Sequence, residues 1–308
     1  MDPLNGAGRP ANHPPPPELS RFLLAQSPAG PRDMATPPLH PPIRADGTVV
    51  EVRHEGGSNR RISLLVPGWP GSEPGQFAML SPGARSAVPR TDPLLPRPMA
   101  VFRSQATDDG HLVEFLFKVT GRGTALMAEA LTGQVVGVVG PLGRPFPRVP
   151  EAGACVLVGG GTGIASLYAL AIREAPTAML LLGAGSRDDL MGVEDFEAVD
   201  DLEIRIATED GSRGEQGLVT QLLERVLDEA QSPPPTVFSC GPTPMMARVA
   251  EIAAARGATC WASLENNMAC GFGVCLGCAA PIRAGGYALV CNTGPVFEAS
   301  TVTWEAMP

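Results

Sequence analysis

The chain contains no run of about 18 apolar residues, the length a membrane-spanning helix requires. Its longest apolar stretches are broken by glycine or are of strand length, so no such helix is expected. No basic segment followed by an apolar one stands near its start, and a secretory leader is not expected either. Long basic runs are also missing: 23 Lys and Arg stand against 32 Asp and Glu, a net charge of -9. Nucleic acid and anionic membrane both need a positive surface, so neither is expected as a partner. No internal repeat of fixed period is present. Cysteine is not scarce, but its number, 7, is odd and suits a disulfide framework poorly. Four of the seven crowd between positions 270 and 291, which suits a metal centre in a reducing compartment, and a cytoplasmic protein is expected.

With 308 residues, 44% of them hydrophobic, the chain can bury a sizeable core and is expected to form two domains plus smaller appendages. Residues 1–46 hold 12 of the 33 prolines, including Pro14–Pro17 and the Pro37-Pro38 and Pro41-Pro42 pairs, with few aromatics. Such a segment cannot recover its ordering entropy by packing, and it reads as a disordered tail, or else as a ligand for a partner's aromatic groove. A short helix over Glu18–Gln26 is compatible with its pattern.

Residues 47–150 read as strands at Thr48–His54, Arg61–Val66, Phe77–Ser81, Met99–Ser104, Leu112–Thr120 and Gln134–Val139, joined by Gly/Pro-rich connectors. This pattern predicts a small antiparallel barrel of six strands. Over 151–263 the character changes to strand and helix in turn: strands at Cys155–Val158, Ala178–Leu182, Glu203–Ala207 and Val237–Ser239, and helices at Ile164–Arg173, Leu218–Glu229 and Pro244–Ala255. Such alternation predicts a doubly wound parallel sheet, with Thr259–Ala262 as its last strand. Residues 264–308 hold the cysteine cluster and read as a small appended module. The fold class expected is thus α+β multidomain.

Cys270, Cys275, Cys278 and Cys291 follow a C-x4-C-x2-C…C spacing, the plant-type arrangement for a [2Fe–2S] cluster. Thiolates are soft ligands, and one short loop can wrap a small cluster while a distant fourth cysteine closes its coordination. Gly271, Gly273 and Gly277 let the backbone approach closely and aim N–H groups at the sulfurs. A structural zinc site is the alternative, but zinc normally pairs two C-x2–4-C knuckles and Cys291 lacks a second partner of that kind. Cys155 and Cys260 lie in apolar strands and read as ordinary core residues.

Three further motifs point to nucleotides. In Arg97-Pro98-Met99-Ala100 the arginine can pair with a diphosphate, and the extended backbone after the proline can face a flavin ring. Leu116-Phe117-Lys118 leads into Gly123-Thr124 at a helix start, a setting for pyrophosphate that reads equally as a glycine turn capped by threonine. Gly159-Gly160-Gly161-Thr162-Gly163 follows a strand and opens a helix, as a dinucleotide phosphate site does, without being a full G-x-G-x-x-G. Cys240-Gly241-Pro242 ends another strand at the sheet's carboxyl edge. No acidic residue stands at the usual ribose position, and Ser186-Arg187 reads either as a 2′-phosphate site or as a solvated arginine. NAD and NADP therefore both remain open.

The order of these motifs resembles the ferredoxin–NADP reductase superfamily. Thr208–Thr220 and Ser263-Leu-Glu-Asn-Asn-Met-Ala-Cys270 narrow the resemblance to the electron-transfer subunits of dihydroorotate dehydrogenase B, over about residues 47–300. That resemblance implies FAD on the barrel, held by Arg97, Pro98, Met99 and Ala100, by Leu116, Phe117 and Lys118, and by Gly123 and Thr124. It implies NAD(H) as co-substrate on the α/β domain, a [2Fe–2S] cluster on the C-terminal cysteines, and no acid–base catalytic residue. A partner is implied too: an FMN-containing dihydroorotate dehydrogenase subunit of pyrimidine biosynthesis, in a heterotetramer. Ala100 stands where serine is usual and Lys118 where arginine is common. The Pro67–Gly75 and Gly83–Leu95 loops are long, and the proline-rich tail has no counterpart in the family. Two other readings are carried: the small subunit of NADH-dependent ferredoxin–NADP oxidoreductase or sulfide dehydrogenase, and a zinc-stabilised interaction protein without enzymatic activity. If the cluster passes electrons outward, Gly271–Gly277 should lie near a protein interface.

Overall fold

The computed structural model describes residues 41–82, 92–149, 153–230 and 233–307, all within the compact unit Met34–Pro308. The expected helix at Glu18–Gln26 and nearly all of the proline-rich tail lie outside the described residues.

The first sheet holds β1 (Ile43–His54), β2 (Asn59–Val66), β3 (Phe77–Pro82), β4 (Arg97–Ala100), β5 (Arg103–Thr107), β6 (Gly110–Lys118) and β7 (Val135–Leu142). A short helix, α1 (Arg122–Ala128), precedes β7. The strands are antiparallel in the order β4-β3-β7-β1-β2-β6-β5. β1 begins at Ile43, ahead of the boundary drawn from composition, and Ile43–Thr48 pairs with Val135–Gly140 of β7.

The expected strand Met99–Ser104 is two strands, so the sheet has seven rather than six. β4 and β5 occupy opposite edges, yet only Val101 and Phe102 separate them, so the sheet must curl until its edges meet. The Val101 N–H donates to Gln76 O at 3.0 Å and the Phe102 N–H to Glu114 O at 2.9 Å, which stitches that seam. Side-chain alternation then sorts residues between faces: Ala78 and Leu80 enter the barrel core with Ile62, Leu64 and Phe115. Phe77 and Met79 face the core shared with the cysteine module.

The second sheet is built on β8 (Cys155–Gly160), whose six residues are all buried, as expected of a central parallel strand. A 3₁₀ turn, Gly161–Leu167, and α2 (Tyr168–Glu174) follow, where a single helix was expected. Next come β9 (Ala178–Ala184), α3 (Val193–Glu197), β10 (Glu203–Thr208), β11 (Glu215–Gln216), α4 (Val219–Glu229), β12 (Thr236–Cys240), α5 (Thr243–Ala255) and β13 (Cys260–Ser263). Val219, Leu222, Leu223, Val226 and Leu227 of α4 are all buried, the single apolar stripe of a sheet-covering helix.

The cysteine module contributes the hairpin of β14 (Ala279–Pro281) and β15 (Tyr287–Leu289), and then β16 (Val296–Glu298). The sheet order is β11-β10-β9-β8-β12-β13-β16. β13 is therefore not the last strand, because β16 adds antiparallel to it. Strand order reverses between β8 and β12, which is where doubly wound folds bind ligands.

Candidate functional site

The carboxyl ends of β8 and β12 meet at the reversal point. Gly163 packs so closely on the Cys240–Gly241 backbone that a Cβ there would overlap it. A cavity of about 470 Å³ opens beside this contact, lined by Gly160, Gly161 and Thr162 at the end of β8 and the turn after it, Pro242 and Met245 at the start of α5, and Asn59 and Lys118 from the barrel. Gly159 instead faces Leu167, Ile164 and Leu182 and supports the turn from beneath. Cys240 is buried, its thiol 3.5 Å from Ser166 Oγ, and burial pushes it up to about 12, so it stays neutral and does not line the cavity. Cys155 and Cys260 are buried core thiols.

On the barrel, Arg97 and Gly123 come together although β5 and β6 separate them in the chain. A Cβ on Gly123 would lie 2.6 Å from Arg97 Nε and 2.8 Å from its Cζ, so glycine leaves the space the guanidinium occupies. An arginine laid across a helix start fits a diphosphate, and these residues therefore suit FAD. Thr124 caps the turn as well, its Oγ1 accepting from the Gly121 N–H at 3.1 Å and the Thr120 N–H at 3.0 Å. Pro98, Met99 and Ala100 are half-buried along β4. Leu116 packs towards Gly192, and Phe117 sits in the barrel core, so of this trio only Lys118 lines the cavity. Lys118 also pairs with Asp189 at 2.8 Å and holds that carboxyl below its ordinary range.

In the cysteine loop Cys275 lies beside Cys270, and Cys278 beside Cys291. Among the described residues no three His, Cys, Asp or Glu side chains converge as around a single ion. Backbone N–H groups aim at the sulfurs: Gly273 at Cys291 Sγ (3.1 Å), Phe272 and Cys275 at Cys270 Sγ (3.4 and 3.5 Å), and Cys291 at Cys278 Sγ (3.4 Å). Although desolvation opposes it, those N–H groups bring the Cys270 thiol down to about 6, towards the thiolate a metal requires. Gly271 and Gly273 adopt φ of +79° and +78°, the left-handed region that favours glycine. The loop rests on the barrel, where a Cβ at Gly271 would lie 2.7 Å from Met79 Cγ.

Residues 265–303 match the family model for the iron–sulfur cluster binding domain of dihydroorotate dehydrogenase B. The dihydroorotate dehydrogenase B (NAD(+)) electron transfer subunit of Caldanaerobacter subterraneus subsp. tengcongensis is 35% identical over 254 residues, 80% of this chain and 95% of that one. The homolog from Aquifex aeolicus is 32% identical over 258 residues, covering 82% and 96%. The chain belongs to the family of dihydroorotate dehydrogenase B electron-transfer subunits. Among solved structures, that of the NADH-dependent reduced ferredoxin–NADP oxidoreductase, from work on flavin-based electron bifurcation, matches with TM-score 0.73 and 26% identity over 85% of this chain and 91% of that one. The ferredoxin reductase of carbazole 1,9a-dioxygenase shares the fold, with TM-score 0.60 and 23% identity over 72% and 68%. The oxidoreductase small-subunit reading is the less favoured one, since the curated relatives carry the dihydroorotate dehydrogenase name at higher identity.

In this electron-transfer subunit, one feature escaped the sequence reading. Arg61 of β2, buried to 3% exposure, pairs with Asp195 of α3 and, at 2.8 Å, with Glu55. Arg103 of β5 also pairs with Asp195, reaches Glu114 at 3.2 Å and donates to Tyr168 Oη at 2.9 Å. Phe102 stacks on Tyr168 with ring centroids 4.3 Å apart, beneath both guanidinium groups. This network bolts the barrel to the nucleotide sheet. Its members come from seven separate elements and loops, so no local spacing announces it.

Proposed function

We propose that this chain is the electron conduit between NAD(H) and a partner dihydroorotate dehydrogenase subunit carrying FMN, in a heterotetramer serving pyrimidine biosynthesis in the cytoplasm. The observation that carries the reading is the contact between the cluster loop and the flavin strands. Met79, which meets Gly271, is the register partner of Pro98 in the expected flavin segment. This contact supports a short route between a flavin on β4 and a cluster on the cysteine loop.

When bound, FAD supplies two-electron acceptance from NADH and single-electron release, matched to a [2Fe–2S] cluster that carries one electron at a time. Arg97 and Gly123-Thr124 would hold the flavin diphosphate, and the Gly160–Thr162 turn the nucleotide pyrophosphate. Asn59 and Lys118 form the barrel side of the cavity wall. Cys270, Cys275, Cys278 and Cys291 would hold the cluster, and the N–H groups aimed at their sulfurs stabilise its negative charge. Phe272, Val274 and Leu276 are 49%, 79% and 62% exposed around it, an apolar rim suited to the FMN subunit. Among the described residues no helix is long and apolar enough to cross a membrane. The free thiols of a cluster module suit a reducing compartment.

The purified chain is expected to reduce artificial acceptors with NADH, to show flavin and iron–sulfur absorption, and to oxidise dihydroorotate only with its FMN partner. Turnover of dihydroorotate by the isolated chain would overturn the reading. A colourless preparation with stoichiometric zinc would favour the interaction protein instead.

A further inference from the structure

The expected flavin strand and the nucleotide turn continue into side chains that touch each other. Only Val101 separates Ala100, the last residue of β4, from Phe102, and Arg103 follows at once. Tyr168 stands directly after the Gly161–Leu167 turn. Phe102 is fully buried and stacks on the Tyr168 ring with centroids 4.3 Å apart. Arg103 donates from Nη2 to Tyr168 Oη at 2.9 Å, and its Cζ lies 4.9 Å from the centre of the same ring. Glu114 of β6, 3.2 Å from Arg103 Nη1, and Asp195 of α3 hold the guanidinium in turn.

The barrel grips the nucleotide sheet at a second place. Asn59 Nδ2 donates to Asp188 O at 3.1 Å, Lys118 pairs with Asp189 at 2.8 Å, and the Gly192 N–H donates to Glu55 Oε2 at 3.1 Å. These three partners all lie in the segment between β9 and α3, and none belongs to β4 or to the glycine turn. Arg61 pairs with Glu55, Asp195 and, at 3.6 Å, Glu114. Asp195 and Glu114 therefore keep a cation even without Arg103.

We propose that Arg103 and Tyr168 are positioning residues for hydride transfer: their contact sets how a nicotinamide held by the glycine turn approaches a flavin held on β4. In that step the C4–H bond of NADH breaks, the hydride with its electron pair forms the flavin N5–H bond, and NAD+ remains. Such a transfer needs reacting atoms about 3–3.5 Å apart, and a displacement of about 1 Å caused far from the chemistry costs up to about 100-fold in rate. One attachment between barrel and sheet leaves a pivot, whereas two define an orientation. The segment after β9 holds the two parts together, and the Arg103–Tyr168 contact fixes their angle beside the reacting rings. This inference rests on the flavin and nucleotide readings of the barrel and the cavity.

The test is anaerobic stopped-flow reduction of the FAD-loaded full chain by NADH, with Arg103→Gln, Arg103→Lys and Tyr168→Phe beside the wild type. Arg103→Gln should lower the limiting rate of flavin bleaching at saturating NADH by about tenfold or more, while the affinity for NAD+, measured by calorimetry, stays unchanged. The long-wavelength charge-transfer absorption between reduced flavin and NAD+ should weaken in parallel, because it reports ring stacking and not turnover. Tyr168→Phe keeps the stack and loses only the hydroxyl, so it should show a smaller loss of the same kind, and Arg103→Lys should recover part of the rate. Circular dichroism checks that the variants fold, as expected with Arg61 still serving both carboxylates. An unchanged limiting rate in Arg103→Gln and Tyr168→Phe, or a loss confined to NAD+ affinity, would overturn the assignment while sparing the electron-conduit reading. Failure of NADH to bleach the wild-type flavin would overturn that reading as well.

Discussion

At the cavity, the lining residues sit at the ends of parallel strands, of which central β8 is buried along its whole length, and their positions follow from sheet register. Around the cluster, Cys270–Cys278 precede the β14–β15 hairpin in a loop without regular structure, whose apolar tips face outward. The first site exists before its ligand arrives. The second is given its shape by glycine turns and by N–H groups that need sulfur and charge to point at. An entrance set by sheet register and an exit set by a glycine-turned loop should therefore fail in different ways.

Removing a cluster ligand gives the widest separation. Cys275→Ser is expected to abolish the iron–sulfur absorption and electron delivery to the partner, while flavin content and NADH diaphorase activity stay largely intact. Equal loss of both activities would erase the distinction between the two sites. Gly163→Val strikes the entrance: the added side chain meets the Cys240–Gly241 backbone, which cannot swing aside as a side chain would. Overpacking there should cost about 3 kcal/mol, read as a lower unfolding midpoint in denaturant together with loss of nucleotide binding. Phe272→Asp changes only the rim, and should weaken association with the FMN subunit by about tenfold in a pull-down titration, with diaphorase activity unaltered.

The smallest effect concerns the bolt between barrel and sheet. Burial disfavours the Asp195 carboxylate, but hydrogen bonds and charge from Arg61 and Arg103 outweigh it and hold Asp195 below the ordinary carboxyl range. Asp195 thus ionises more readily folded than unfolded. Its contribution is complete above about pH 4 and is lost as pH falls through the depressed value. Melting temperature should decline on that acid limb, and Asp195→Asn should flatten it.

Much of the molecule was legible because the signals were local. The buried run Cys155–Val158 and the stripe of α4 each report their own environment through side-chain pattern alone. The four cysteines were equally plain, since their spacing is itself the chemistry. Edges and pairings were less so. Val101-Phe102 looks like the middle of one strand, and only the curl of the sheet makes it a corner. Val296–Glu298 is too short to declare itself as a strand, and it became one by finding the open edge of β13. The tail and most of the Gly83–Leu95 loop lie outside the described residues.

The sequence by itself determined the spacing of the four cysteines, the glycine turn after β8 and the order of barrel, sheet and cysteine module, because each depends on residues close together in the chain. Tertiary structure alone decided that Arg97 lies across Gly123, that Arg61 and Arg103 converge on Asp195, that Arg187 turns to Ser212, and that the cysteine loop rests on Met79. Those are contacts between distant segments, set by how two sheets and a loop share their cores, and no periodicity along the chain encodes them.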